Sequence, residues 1–290
     1  MQDSLSGKKV RLANILGYGF IYLCSLGILA MTAFFVIYTF YKGINGISLS
    51  FLTLAPNPIK QTIGIFPSMV NTIYVIIFSL LISTPIGISS AIYLTEYAEN
   101  KKVIQLIEFT IETLAGIPSI IFGVFGYMFF CMALNLKVSL LSGVLTLTIM
   151  VLPTIIRTTQ EALKAVPKSY KEGSLGIGAT NWTMIRTILL PNSLHGIITS
   201  IILSTGRIIG ESAALLLVAG GSALYMPYTN VFKQLSSSGS TLAVELFRYA
   251  YTRGDNDVGF SIALVLMLIV LALNLLTNFI SRKLNRGGIK

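Results

Sequence analysis

Six long apolar runs divide this chain, at about 13–41, 66–94, 107–134, 138–160, 188–218 and 258–281. A helix crossing a bilayer needs about 20 consecutive, mostly apolar residues. Each run therefore predicts a spanning helix. The first run is too long for the apolar region of a signal peptide and has no small-residue cleavage site, so it is expected to stay as a mature span. Only the fourth and fifth runs are joined by a substantial polar loop on the Lys/Arg-rich side, at about 161–187. The expected fold is an all-α polytopic membrane protein, one domain over residues 1–290 with six transmembrane helices.

Composition agrees with this reading. Hydrophobic residues make up 54% of the chain and charged residues 11%, with a mean hydropathy of +0.79. Soluble domains carry about 25% charged residues, because their surface needs polar cover. The net charge of +10 does not point to nucleic acid, since the basic residues sit between apolar runs and not on one face of a soluble module. It points to orientation. Lys8, Lys9, Arg11, Lys101, Lys102, Arg157, Lys164, Lys168, Lys171, Arg186, Arg282, Lys283, Arg286 and Lys290 flank one side; Lys42, Lys60, Lys137, Lys233, Arg248 and Arg253 flank the other. Fourteen against six predicts that both termini are cytoplasmic.

The remaining chemistry is sparse. Cys24 and Cys131 lie in apolar runs without metal-ligand spacing, and a disulfide between them is not expected. His195 stands alone and reads as structural. There is no Walker A sequence, metal cluster or nucleophile elbow, and Gly176-Ile177-Gly178 lacks the third glycine and the strand of a dinucleotide motif. The spans carry Pro85, Pro118 and Pro153 with Gly87, Gly116, Gly123, Gly126 and Gly143. Such residues serve either close packing or helices that bend around a pathway. The outer loop at about 219–257 opens on Gly220-Gly221 and contains Ser236-Ser237-Ser238-Gly239-Ser240, which suggests hinged or partly mobile chain, with a short amphipathic helix at 241–250.

The polar loop predicts two short helices. The first runs from about Pro167 to Leu175, Gly176 and Gly178 break it, and Thr180 or Asn181 caps the second. Pro191 follows the second helix and opens the fifth span. Tyr170, Leu175, Ile177, Trp182 and Met184 give these helices apolar faces that need cover, either the membrane surface or a cytoplasmic partner.

Glu172-Gly173-Ser174, then Gly178, then Ile188, Leu190 and Pro191 keep the spacing of the EAA motif of ABC importer permeases. The chain resembles that family, with Gly173 and Ser174 where the family has two alanines. The resemblance implies a type I importer permease fold. It also implies a loop whose helices sit in a cleft of an ATPase subunit, with Glu172 through Gly178 making that contact.

The fifth run holds Arg207 and Glu211. A charge at the bilayer centre costs about 2.5–3.5 kcal/mol on insertion scales. Arg207 lies sixteen residues past Pro191, about 24 Å along a straight helix. Four residues apart on one helix, the two side chains are expected to share a face. They read either as a mutually satisfied pair that packs helices, or as the lining of a polar path in which guanidinium meets a phosphate-like oxyanion. Arg157 reads either as a flanking charge or as a second anion contact.

Gly206-Arg207-Ile208-Ile209-Gly210-Glu211-Ser212-Ala213 is similar to a segment of phosphate-specific ABC permeases, with serine for threonine. So are Gly64 through Thr72, Glu112 through Ile120, and Phe122-Gly123. The short N-terminal region and the length of 290 residues are more similar to the PstA subunit of that family than to PstC. The resemblance implies a permease subunit in the cell membrane that carries phosphate inward past Arg157, Arg207 and Glu211. It implies a second, PstC-like permease, two PstB-like ATPase subunits and an extracytoplasmic PstS-like phosphate-binding protein as partners. No cofactor is expected on this chain; ATP and Mg belong to the ATPase. Sulfate or molybdate in place of phosphate, and a secondary transporter or channel, are the alternatives.

Overall fold

A computed structural model describes residues 3–57, 62–221 and 230–285. Lys60, Arg286, Lys290 and residues 222–229 of the outer loop, which enter the sequence argument, lie outside the described residues. The described chain is helical apart from one isolated bridge between Asn57 and Thr62. In chain order the helices are α1 (Asp3–Gly43), α2 (Leu49–Thr53), α3 (Phe66–Ile92), α4 (Lys101–Ala115), α5 (Ser119–Gly126), α6 (Leu140–Lys164), α7 (Lys168–Gly176), α8 (Asn181–Met184), α9 (Leu190–Ile209), α10 (Ala213–Val218), α11 (Val231–Leu235), α12 (Leu242–Phe247) and α13 (Asn256–Asn285).

Among the described residues, five helical stretches are long and apolar enough to cross a membrane: Gly17–Gly46, Phe66–Tyr97, Leu140–Lys164, Asn181–Ile209 and Asn256–Phe279. The sixth differs from expectation. The run at 107–134 is not one straight span but two helices, Lys101–Gly116 and Ser119–Ala133, bent by 100°. The break falls at Gly116-Ile117-Pro118, where Gly116 ends α4 and Pro118 takes the extended backbone that precedes α5. Proline disfavours the helical conformation of the residue before it and has no N–H to continue the ladder.

α6 is the centre of the bundle, and most of its length is buried. It runs parallel to α3: Ser79 donates to the Val144 carbonyl, and a Cβ on Gly87 would lie 2.5 Å from Ile155. This glycine is what lets the two backbones approach. α9 lies against α6 at Ala162–Gly196. One apolar core joins Val75 and Ile76 of α3, Leu147, Met150 and Val151 of α6, Ile208 and Ile209 of α9, and Leu215 and Val218 of α10. α1 packs along α13 and leaves its apolar surface bare from Gly17 onward, as a lipid-facing helix does.

The serine run of the outer loop also differs from expectation. It is packed, not hinged. Ser237 accepts at its carbonyl from the Leu140 N–H, Ser238 Oγ donates to the Ala219 carbonyl, and Ser240 is fully buried. Serine hydroxyls supply the partners that buried backbone groups require, so a sequence that looks like a flexible linker can be fixed by tertiary hydrogen bonds. The expected helix at 241–250 is present as α12 and its continuation through Arg248–Thr252.

Candidate functional site

The loop between α6 and α9 folds as two short helices. Pro167 precedes α7 as its N-cap. Gly178 takes φ +89°, and its N–H bonds the Leu175 carbonyl at 3.0 Å. That left-handed turn suits glycine, because a Cβ there meets the following carbonyl. Thr180 Oγ1 then accepts from the Thr183 N–H at 3.2 Å and caps α8. Glu172, Gly173 and Gly178 are exposed, and Ser174 is buried. The apolar faces divide. Tyr170, Leu175, Ile177 and Trp182 stay exposed, whereas Met184 is buried in the bundle.

Pro191 does not separate α8 from α9. The helix runs on from Asn181 to Ile209 through a wide π-type turn at Ile185–Leu189. Pro191 sits in the first turn of α9 just after it, where the looser ladder tolerates a missing N–H. Ile188 and Leu190 are half-buried, and Pro191 is exposed.

Arg207 and Glu211 do not share a helix face. α9 ends at Ile209 with Gly210 as its cap, and Arg207 lies in the last turn. Glu211 falls in the break, nearly buried at 9% exposure, and its Oε1 accepts from the Ala214 N–H at 3.0 Å. The carboxylate thus caps α10, where free N–H groups and the helix dipole favour negative charge. Glycine at 210 is a poor helix former, and the i,i+4 pairing is lost with the helix. Among the described residues the ion pairs are Arg157–Glu112, Arg157–Glu161, Lys164–Glu108, Lys171–Glu96 and Arg248–Glu245. None of these includes Arg207. Gly206 beside it faces open space, and Leu203 and Gly210 on the same side are exposed.

Arg157 is committed differently. Its guanidinium donates to Glu112 at 2.8 Å and to Glu161 at 3.3 Å, in an open cleft that also holds Glu108, Gln160 and Lys164. From the Ala162–Gly196 contact, Arg157 lies about 7.5 Å and Arg207 about 16 Å along the bundle at 1.5 Å per residue. They are therefore staggered by about 9 Å. The cleft pins α4 to α6, and its three carboxylates outnumber its two cations.

Two further groups carry little or no signal in the sequence. At the end opposite the α7–α8 loop, Asn71 donates to the Ser240 carbonyl at 3.1 Å and accepts from Gln234 at 2.7 Å, and Thr72 Oγ1 accepts from the Leu242 N–H. Beside them Glu245, 3% exposed at its side chain, pairs with Arg248 at 2.8 Å. Asn71 and Thr72 lie in the Gly64–Thr72 segment, so half of this cluster was within reach of a motif. The other group, Glu96 with Lys171, gives no local signal at all because its members are 75 residues apart.

Five long apolar helices and a sharply bent helix pair, with a loop helix running unbroken into a span that carries a polar break, are the architecture of ABC importer permeases. The fold is shared with a solved chain: one from a bacterial alginate ABC transporter superposes with TM-score 0.63 at 16% identity, over 92% of this chain and 96% of that one. In sequence, the probable ABC transporter permease YqgI of Bacillus subtilis is 34% identical over 83% of this chain and 81% of its own. The phosphate transport system permease PstA of Xylella fastidiosa is 32% identical over 81% and 80%. Residues 83–288 match the family of binding-protein-dependent transport system inner membrane components, and the chain belongs to that family. It is a multi-pass protein of the cell membrane, the permease subunit of an importer that works with an ATPase and a binding protein.

Proposed function

We propose that this chain is a PstA-type half-channel that passes inorganic phosphate into the cytoplasm. The observation that carries the reading is Arg207: a half-buried arginine in the last turn of α9, without an ion-pair partner among the described residues, beside an open helix face. A desolvated arginine holds an oxyanion through paired charge-assisted hydrogen bonds. Glu211 is engaged by α10 and does not neutralise it. The open face at Leu203, Gly206 and Gly210 leaves the other wall of the path to a second, PstC-like permease. Two PstB-like subunits bind ATP and Mg, and a PstS-like protein delivers phosphate. The relatives named as phosphate permeases support this substrate.

Both termini and the α7–α8 loop then face the cytoplasm. Glu172, Gly173 and Gly178 form the ATPase contact, with Tyr170, Ile177 and Trp182 as apolar cover for it; Ser174, expected in that contact, is buried and faces the chain instead. Ile188, Leu190 and Pro191 lie where the loop enters α9. Arg157 serves phosphate as a second contact on the cytoplasmic side only when Glu112 and Glu161 release it. Family membership sets aside the secondary transporter and the channel.

The test is uptake of labelled phosphate, sulfate and molybdate into vesicles holding the full complex, with ATP supplied or withheld. ATP-dependent phosphate uptake is expected. ATP-driven uptake of sulfate or molybdate with none of phosphate would overturn the substrate.

A further inference from the structure

The α7–α8 loop is tied to more than the span it continues into. α3 runs on past Ile92 as a π-type turn, Tyr93–Tyr97, and Glu96 in that turn pairs with Lys171 of α7. The two side chains are only 10% and 21% exposed, unlike the Arg157 and Lys164 pairs, which are all more than a third exposed. Behind them Ala91 of α3, Leu163 of α6, Val166, and Met184, Ile185 and Leu189 of the α8–α9 helix form one buried aliphatic cluster. Ile92 and Ile156 pack against it.

These two kinds of contact act differently. An aliphatic cluster resists separation but has no direction, so its members can slide. A mostly desolvated ion pair fixes position, because a shift of either partner leaves a buried charge unpaired. The cluster keeps α8 and the start of α9 on the bundle; the pair sets where α7 stands relative to α3.

We propose that Lys171 and Glu96 are positioning residues that lock the first loop helix to α3. ATPase motion then enters the bundle through α3 as well as through α9. α3 runs parallel to α6 in close contact at Gly87, so a push at Glu96 moves the centre of the bundle and not its edge alone. The inference rests on the ATPase contact assigned above to Glu172 through Gly178. It does not depend on which oxyanion is carried.

The test uses the full complex in vesicles and reads solute moved per ATP hydrolysed, on whichever oxyanion the unaltered complex transports. Lys171→Met and Glu96→Gln should each stay assembled with the ATPase and lower that ratio by about fivefold or more, the lower end of ordinary coupling between sites. The exchange Lys171→Glu with Glu96→Lys should restore it. An unchanged ratio in the single variants, or an exchange that restores nothing, would overturn the proposal. A second arm covers variants that do not assemble. With Cys24 and Cys131 replaced by alanine, Lys171→Cys and Glu96→Cys are joined by a short cleavable thiol reagent. The unjoined variant should show the lowered ratio, and a ratio that rises on joining supports a rigid link. Uptake lost on joining and regained on cleavage would show that α7 and α3 part during the cycle, and would overturn it. An unaltered complex that moves sulfate and not phosphate counts against the substrate reading alone.

Discussion

Glu211 Oε1 accepts a hydrogen bond from the Ala214 N–H at 3.0 Å, so this carboxylate faces the helix that follows it and not the arginine four residues before it. The polar break in the fifth span is therefore two separate devices. Glu211 accepts from the start of α10, and Arg207 makes no ion pair among the described residues.

The first prediction separates those roles. Glu211→Gln keeps an oxygen that can cap α10, whereas Glu211→Ala does not. Loss of an N-cap costs about 0.5–2 kcal/mol. Thermal unfolding of the purified complex should show the alanine variant destabilised by about that much and the glutamine variant close to the parent. Equal destabilisation would mean that the charge, and not the cap, is what α10 needs.

Arg207→Gln should abolish phosphate uptake while the complex still assembles. A hydrogen bond to a charged group is worth about 1.5–3 kcal/mol, which is a loss of about tenfold to 150-fold in binding. Arg207→Lys should fall between the two, since lysine keeps the charge and loses the fork. Unchanged uptake in Arg207→Gln would make the residue a packing element.

At the loop, Gly178→Val and Glu172→Lys should leave the protein in the membrane and weaken ATPase association. A β-branched residue at φ +89° is strained by about 1–2 kcal/mol whatever the space around it. Co-purification of the ATPase with each variant measures the effect. Normal association together with normal uptake would remove this loop from the ATPase contact.

At the opposite end, Glu245→Ala should destabilise the protein more than any single change at the exposed Arg157 pairs. Glu245 is almost fully buried, and its removal leaves Arg248 unpaired, a change that costs about 3–5 kcal/mol for a fully buried pair and less here because Arg248 is partly exposed. Glu112→Gln breaks a pair about half exposed at both ends, where the cost is about 0–1 kcal/mol. Unfolding of the two variants in the same detergent decides between them.

What the sequence determined by itself was set by length and solvent. A run of about 20 apolar residues has few places to go but the bilayer: the runs at 66–94 and 258–281 lie within the helices Phe66–Tyr97 and Asn256–Asn285, and the run at 138–160 begins two residues before Leu140–Lys164. The turn at Gly178 and the cap at Thr180 were also legible, because both are local backbone chemistry. Tertiary structure decided the rest. The packed serines of 237–240 follow from which groups lie nearby to pair with them, the Leu140 N–H and the Ala219 carbonyl among them. Arg157 facing Glu112, and Lys171 facing Glu96, are pairings across 45 and 75 residues. Periodicity along a chain carries no information about such partners. Only the packing of α4 on α6, and of α7 on α8 and the turn at Ile185–Leu189, brings these charges together.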